Sequence, residues 1–414
     1  MASNGHTPKG AEKGPLTGYL ILDLSVFQNG PFSTVVLSDM GADVIKVEQP
    51  GEGDPARNIT LVPTTDGDDF QIYFETMNRN KRSITIDLKN PKGREVFYKL
   101  VERADVVVEN FRVGVAERLG VDYEALKKVN PKIIRAANSG LGPLGPEATA
   151  PLLDIVGQAR AGFVSTFADP DGTPSYIGNG NFGFGDQTGA LVLAHAITLA
   201  LLARERFGVG QNVETSQLGA LMMLMQSGIH QAFIGNQSPR RIQRTEITNP
   251  LANFYKCGDG KWITLGGFQA DRYWPDMAKI LGIGELTADP RFNSIPARAK
   301  NQAELIGILE EAFLKRACAD WITELRKLNM IVGPVQRLPE LWTDPQCIAN
   351  DYLVELEHPG RGTLKEVGVT IRMSATPGRP RKVAPEFGEH TEEILLELGY
   401  DWEQIEALRS AAAV

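Results

Sequence analysis

Asp186 is the side chain in this sequence best placed to act as a nucleophile. It stands in Gly183-Phe184-Gly185-Asp186-Gln187-Thr188-Gly189, a glycine-rich stretch that leads into a long segment reading as a helix through Arg206. A carboxylate can attack an electrophilic carbonyl and carry it as a covalent intermediate. At the start of a helix, the dipole favours its ionised form. Flanking glycines let a bulky thioester approach closely, and their N–H groups can hold an oxyanion. The same residues also read as an ordinary Asp N-cap eased into its helix by glycine. Position alone does not decide between the two.

Other chemical patterns are weaker. The histidines His6, His195, His230, His358 and His390 form no HxxxH or HExxH pair, so no metal centre is expected. His195, inside an apolar helical run, reads as a core histidine. No GxSxG elbow and no Walker motif occurs. Gly140-Leu141-Gly142-Pro143-Leu144-Gly145 spells GxGxxG, but Pro143 removes a donor and no amphipathic helix follows, so it reads as a turn-rich loop. Asp169-Pro170-Asp171-Gly172 has no Glu at the position a calcium loop needs and reads as a turn. Arg240, Arg241 and Arg244 read as a solvated charged face rather than a dicarboxylate site.

The elements that must position Asp186 begin near the N-terminus. Leu20–Leu24 is a short apolar run, Gly30-Pro31 opens a helix over 32–40, Gly41 stops it, and Asp43–Glu48 is the next strand. That βαβ unit implies a parallel sheet with a right-handed crossover. The alternation continues with strands at 83–88, 105–109 and 132–137 and helices at 91–103 and 123–129, the last capped by Asp122. Strands this rich in Val, Ile and Leu suit a sheet covered on both faces. From 139 to 185 Gly and Pro break the pattern. Gly208 and Gly210 then end the long helix, Gln211–Thr215 is strand-like, and Leu218–Phe233 reads as one helix. From about Thr248 a strand at 262–265 and amphipathic helices indicate a smaller inserted domain.

The chain has 414 residues, with 42 % apolar and 23 % charged residues, which suits a globular protein of two domains. A net charge of -8 argues against nucleic-acid or anionic-membrane partners. No apolar run reads as a membrane span. Residues 1–17 read as a disordered polar leader. Three scattered cysteines, Cys257, Cys318 and Cys347, fit a cytoplasmic protein without disulfides or zinc.

Several short stretches occur together and in order: Gly30-Pro31-Phe32, Asp39-Met40-Gly41-Ala42-Asp43-Val44-Ile45-Lys46-Val47-Glu48, Asn78-Arg79-Asn80-Lys81-Arg82-Ser83, Val108-Glu109-Asn110-Phe111-Arg112, Arg204 with Gly208, Gly210 and Gln211, and Gly388-Glu389-His390-Thr391. On these the chain resembles the class III CoA-transferases, a family that includes formyl-CoA transferase, carnitine CoA-transferase and the α-methylacyl-CoA racemases. The resemblance implies an α/β fold: a Rossmann-like large domain over 18–225 and 345–414, and a smaller α+β domain over 226–344. It also implies an interlocked homodimer, with a heterodimer of homologous subunits as the variant. It makes Asp186 the catalytic residue, with Gly185 beside it and Gln28 near the reacting groups. Asn110, Phe111, Arg118 and Arg82 are the candidates for holding CoA. CoA and acyl-CoA would be substrates, with a carboxylic acid as acceptor, no resident cofactor and no metal. The reaction implied runs through an Asp186 acyl anhydride and then an aspartyl-CoA thioester.

Two departures bear on specificity. Racemases carry His before the Asp of Gly-His-Asp-Ile-Asn-Tyr, where this chain has Leu153-Asp154-Ile155. A second acid/base is therefore missing. The glycine run of formyl-CoA transferase is replaced by Pro239-Arg240-Arg241-Ile242-Gln243-Arg244, which leaves formyl and oxalate specificity unsupported. An acyl-CoA racemase and a non-catalytic CoA-binding subunit are the alternative readings.

Overall fold

The structure is a computed structural model that describes residues 13–59, 70–175 and 183–414. Most of the expected leader and the middle of the glycine-dense run before Gly183 lie outside those residues. The chain divides into two compact units. One comprises residues 1–167, 174–239 and 349–414, and the other residues 168–173 and 240–348.

The large unit is built on a six-stranded parallel sheet in the order β3-β2-β1-β4-β5-β6. Its strands are β1 (Leu20–Asp23), β2 (Asp43–Glu48), β3 (Arg82–Thr85), β4 (Val106–Glu109), β5 (Ile134–Ser139) and β6 (Asn212–Ser216). This is the doubly wound order, whose direction of winding reverses between β1 and β4. The helices are α1 (Asn29–Asp39), α2 (Ile72–Asn78), α3 (Pro91–Arg103), α4 (Val115–Leu119), α5 (Tyr123–Val129), α6 (Asp154–Arg160), α7 (Phe163–Thr166), α8 (Phe184–Phe207), α9 (Gln217–Leu224) and α10 (Gln226–Gly235).

Side chains alternate across the sheet and create two cores. Leu22, Ile45, Ile84 and Val107 pack with Val96, Phe97 and Leu100 of α3 and with Ile394, Leu395, Ile405 and Leu408 near the C-terminus. Ile21, Val44, Val106 and Ile134 pack with Leu37 of α1 and Leu193, Ile197 and Leu201 of α8. Both faces are thus covered, as the unbroken apolar strands demand.

The motif residues have structural reasons. Asp39 accepts from Arg79 at 2.6 Å and from Asn80 at 2.7 Å. Arg204 pairs with Asp105 at 2.7 Å, and Gly208, at φ 73°, ends α8 in the left-handed conformation. His390 donates its N–H to the Ser83 carbonyl at 2.9 Å, which ties the C-terminal motif to β3.

Several expectations need correction. Leu16 is buried and its N–H bonds to Met40, so the packed chain begins before residue 18. Residues 218–233 are not one helix, because α9 and α10 are separated at Met225. Helix α8 is apolar and long enough, at 24 residues, to cross a membrane by length and composition, yet one of its faces lies in the sheet core. His195 is on the other, exposed face of α8 and is not a core histidine. Two other expectations hold: the GxGxxG stretch is a loop after β5 with Gly142 and Gly145 at positive φ, and no helix starts before α6. Asp169–Thr173 is a turn, in which Gly172 N–H bonds to the Asp169 carbonyl at 2.8 Å.

The small unit has a three-stranded antiparallel sheet of Phe254–Lys256, Trp262–Leu265 and Val332–Val335. Helices Ala270–Ile280, Gln302–Phe313 and Cys318–Arg326 cover it around Trp274, Phe313 and Trp321. Its arginines are paired: Arg241 with Asp169, Arg244 with Glu310 and Arg240 with Glu246. These partners fit the charged-face reading.

The deepest charges in the large unit lie beneath the end of β1. Lys81 and Asp23 are fully buried and paired at 2.8 Å, and Lys81 also donates to the carbonyls of Pro31 and Met77. Removing one partner of a buried pair costs about 3–5 kcal/mol, because the other charge is left uncompensated. Lys81→Met should therefore lower the Tm by on the order of 5–10 °C in calorimetry. An unchanged Tm would show that Asp23 tolerates the loss.

Candidate active site

The site lies in the large unit, at the carboxyl ends of β1 and β4, where parallel sheets of this winding open a crevice. After β1 the chain turns sharply into α1. Phe27 adopts φ 63°, an uncommon conformation for a bulky residue. Three contacts hold the turn. Asp54 accepts the Phe27 N–H at 3.1 Å, Lys46 donates to the Ser25 carbonyl at 2.9 Å, and Asn110, just after β4, brackets Val26. Asn110 Oδ1 accepts the Val26 N–H at 3.0 Å, and its Nδ2 donates to the Val26 carbonyl at 2.7 Å. The same Nδ2 donates to Asn29 Oδ1 at 3.1 Å. Gln28 and Asn29 are thereby presented at the mouth of the crevice.

Asp186 reaches it from the first turn of α8, but not as the cap, which is Gly183. A second acid does the capping: Asp154 Oδ1, from the first turn of α6, accepts the Asp186 N–H at 2.9 Å. Gln217, the first residue of α9, bridges both acids. Its Nε2 donates to Asp186 Oδ1 at 2.7 Å and to Asp154 Oδ1 at 3.3 Å. Asn29 Nδ2 donates to the same Asp186 Oδ1 at 3.4 Å. A side chain at Gly185 would bring its Cβ within 2.8 Å of Asp154 Oδ1 and 3.0 Å of Gln217 Cγ, so glycine is what lets three helices converge here. At Gly183 a Cβ would come within 2.8 Å of the Gln28 amide, and the Tyr73 hydroxyl donates to Gln28 Oε1 at 3.3 Å.

The electrostatics differ from the sequence expectation. Asp186 is not held ionised by its helix. Burial and the neighbouring Asp154 charge push its carboxyl up to about 7, against the pull of Asn29. The dipole of one helix end is the smaller effect beside a like charge in a half-buried site.

The structure therefore gathers Asp186, Gly185 and Gln28, with Asn110 supporting them from below. Phe111 lines a small polar crevice beside the β4 end, with Arg112, Glu117, Arg135 and Thr215. Arg118 is exposed on α4 nearby. Arg82 is elsewhere: on β3, at the sheet edge, it is committed to Asp43, Glu393 and Glu397. Sequence reasoning did not single out Asn29, Tyr73 or Gln217, and treated Asp154 only as a neighbour of Leu153. Leu153 is 70 % exposed and brings no acid or base to the group.

With this geometry described, comparison with known proteins decides the family. Residues 16–391 match CoA-transferase family III. The chain belongs to that family. An acyl-CoA transferase of Fusarium pseudograminearum is 34 % identical over 95 % of this chain and 87 % of its own length. An acetyl-CoA:oxalate CoA-transferase of Acetobacter aceti is 33 % identical over 87 % of this chain and 95 % of its own. The crystal structure of a CAIB/BAIF family protein from Brucella suis superposes with a TM-score of 0.83 at 31 % identity, covering 94 % of this chain and all of that one. This family III enzyme is a CoA-transferase, and acyl-CoA thioesters and carboxylic acids fit it as substrates.

The raised Asp186 carboxyl predicts two linked pH effects. Its folded value, near 7, exceeds its ordinary value of 3.8, so its contribution to stability is fully present below about pH 4 and is lost as pH rises through 7. Asp186→Asn should match the parent at pH 4 and be more stable at pH 8 by about 1–3 kcal/mol in urea titrations, discounted for partial exposure. Asp154→Asn removes a like charge while its Oδ1 can still accept the Asp186 N–H. The acidic limb of kcat/KM should then move down by about one pH unit. An unmoved limb would mean that another group controls it.

Proposed function

We propose that this CoA-transferase works by covalent catalysis on Asp186. The carboxylate attacks the donor thioester, giving a mixed anhydride and CoA thiolate. The thiolate attacks the aspartyl carbonyl, releases the donor acid and leaves an aspartyl-CoA thioester. The acceptor carboxylate displaces CoA from it to form a second anhydride, and the returning thiolate attacks the acceptor carbonyl to give the new acyl-CoA. The observation that carries this reading is the carboxyl of Asp186 at the mouth of the sheet crevice, held by Gln217 and Asn29 on one oxygen. A pKa near 7 suits a group that must be nucleophilic at neutral pH and then leave from an anhydride. Gln28, held by Tyr73 and beside Gly183 at the start of α8, is the group we assign to the acyl group, and exclusion of water would protect each intermediate. Phe111 and Arg112 in the crevice, with Arg118 exposed on α4, offer an apolar and cationic surface for CoA, while the ion pairs of Arg82 speak against its assignment. A racemase is not favoured, because Leu153 gives no second base.

The working form we infer is a homodimer. Its support is the apolar surface on α8–α10, where Leu199, Leu202, Met223, Phe233 and Ile234 are all at least 52 % exposed. Sedimentation equilibrium should give twice the chain mass, and a monomer at micromolar concentration would exclude it.

With acetyl-CoA or succinyl-CoA alone, followed by hydroxylamine, the peptide spanning 184–204 should carry a hydroxamate at Asp186. Asp186→Ala should lose at least about a thousandfold in kcat, while Asp169→Ala stays active. A variant lacking Asp186 that still transfers CoA, or label at Asp154 instead, would end the assignment.

A further inference from the structure

We propose that Gln217 and Asn29 form an oxyanion hole for the carbonyl of Asp186 itself, so that Oδ2 is the attacking oxygen and Oδ1 the one that receives negative charge in the steps that follow. This rests on the covalent reading above and gives the two residues that hold Asp186 a role in stabilising charge, which that reading leaves unassigned.

The two oxygens of the Asp186 carboxylate stand in unlike surroundings. Oδ1 accepts from Gln217 Nε2 at 2.7 Å and from Asn29 Nδ2 at 3.4 Å. Oδ2 accepts from no described residue. The donors are fixed in direction. Both acceptors of Gln217 are carboxylate oxygens, so only the NH2 end of its amide can face them. Gln217 itself is fully buried, at the first position of α9, with Ser216 capping the helix before it. Asn29 is oriented by Asn110, whose Nδ2 donates to Asn29 Oδ1 and so turns the Asn29 NH2 toward Asp186. Asn110 is in turn fixed by the Val26 N–H, which only its oxygen can accept.

The unequal oxygens divide the labour. In the first step Oδ2 bonds to the donor carbonyl carbon and the thiolate leaves. Oδ1 becomes the carbonyl oxygen of the aspartyl half of the anhydride. In the second step the thiolate sulfur bonds to the aspartyl Cγ, and the electron pair of that C=O moves onto Oδ1. Collapse restores the C=O and breaks the Cγ–Oδ2 bond, so the donor acid departs as carboxylate with its charge. Attack of the acceptor carboxylate on the aspartyl thioester places charge on Oδ1 again, and the thiolate is expelled. In each of these attacks on Cγ the developing oxyanion sits on the atom that two preorganised N–H donors already address. Such donors contribute most where charge appears in the transition state. The first step is different, because its oxyanion develops on the donor's carbonyl and not on Oδ1.

That difference supplies the test. Wild type, Gln217→Leu and Asn29→Ala are mixed with acetyl-CoA or succinyl-CoA alone above pH 8, where Asp186 is ionised. Anhydride formation is read as CoA thiol released and as hydroxamate at Asp186. The second step is read as the mass of CoA on the 184–204 peptide. The proposal expects Gln217→Leu to keep the first step within about tenfold and to slow the CoA adduct by roughly a hundredfold or more. Asn29→Ala, with the longer bond, should show the same split at a smaller size. An adduct forming at the wild-type rate in both variants overturns the proposal. Equal loss of both steps in Asn29→Ala, a half-exposed site where folding is not at stake, also overturns it, since that is the signature of mere misplacement. No hydroxamate and no adduct in the wild type would instead defeat the covalent reading on which it rests.

Discussion

The turn that presents Gln28 and Asn29 to Asp186 depends on another carboxylate, buried beneath it. Asp23 ends the central strand β1 and is completely buried. Burial alone would raise its pKa, but the ammonium groups of Lys81 and Lys46 hold it down at about 2. It takes the Lys81 ammonium and the Thr34 hydroxyl on one oxygen and Ser25 on the other. Those partners come from the turn after β1, from α1 and from the segment leading into β3. A charge that cannot be solvated makes the arrangement close to all-or-none. The Ser25–Asn29 turn inherits that rigidity, and with it the positions of Gln28 and Asn29.

Above this floor the site accepts an unfavourable arrangement. Two aspartates from different helices meet around one glutamine amide, and the helix start of α8 is capped by the side chain of α6 rather than by its own N-cap residue. A protein selected for stability alone would place an amide or an alcohol there. The result is an acid whose ionised form burial and the Asp154 charge disfavour. Gly185 and Gly189 admit the close approaches, the latter leaving room for the buried Asn138 amide at 2.9 Å from where a Cβ would be.

Local signals carried much of the fold. Pro31 and Gly41 mark the first βαβ crossover, Pro91 and Asp122 mark helix starts, of which Asp122 caps its helix as expected, and the runs of Val and Ile announce strands buried on both sides. Asp186 was legible because a carboxylate among glycines before a helix is a local pattern. Its partners were not. Gln217 lies 31 residues away and Asn29 157 residues away, and neither has a neighbour in sequence that betrays a role. The direction of the Asp186 pKa was misread for the same reason, since the like charge of Asp154 comes from another helix. Arg82 sits inside a family motif, yet its surroundings on β3 give it a different task from the one that the motif suggests.

The tie between β3 and the C-terminal motif bears on how the chain is made. Ser83 and His390 bond across 307 residues, Asp87 N–H meets the Ala413 carbonyl, and Ile394 to Leu408 complete a core begun by Leu22. During synthesis, the first half of the sheet must therefore wait for residues 390–413 to emerge before one of its faces is closed. Contacts this distant in sequence form late and slowly, and until then an apolar face with its strand edge stands open to other nascent chains. A product that stops before residue 390 would contain Asp186, Gln28, Asn29 and Gln217 and still lack the cover over its sheet. The enzyme's vulnerability is thus one of timing, set by where along the message the closing helices are encoded.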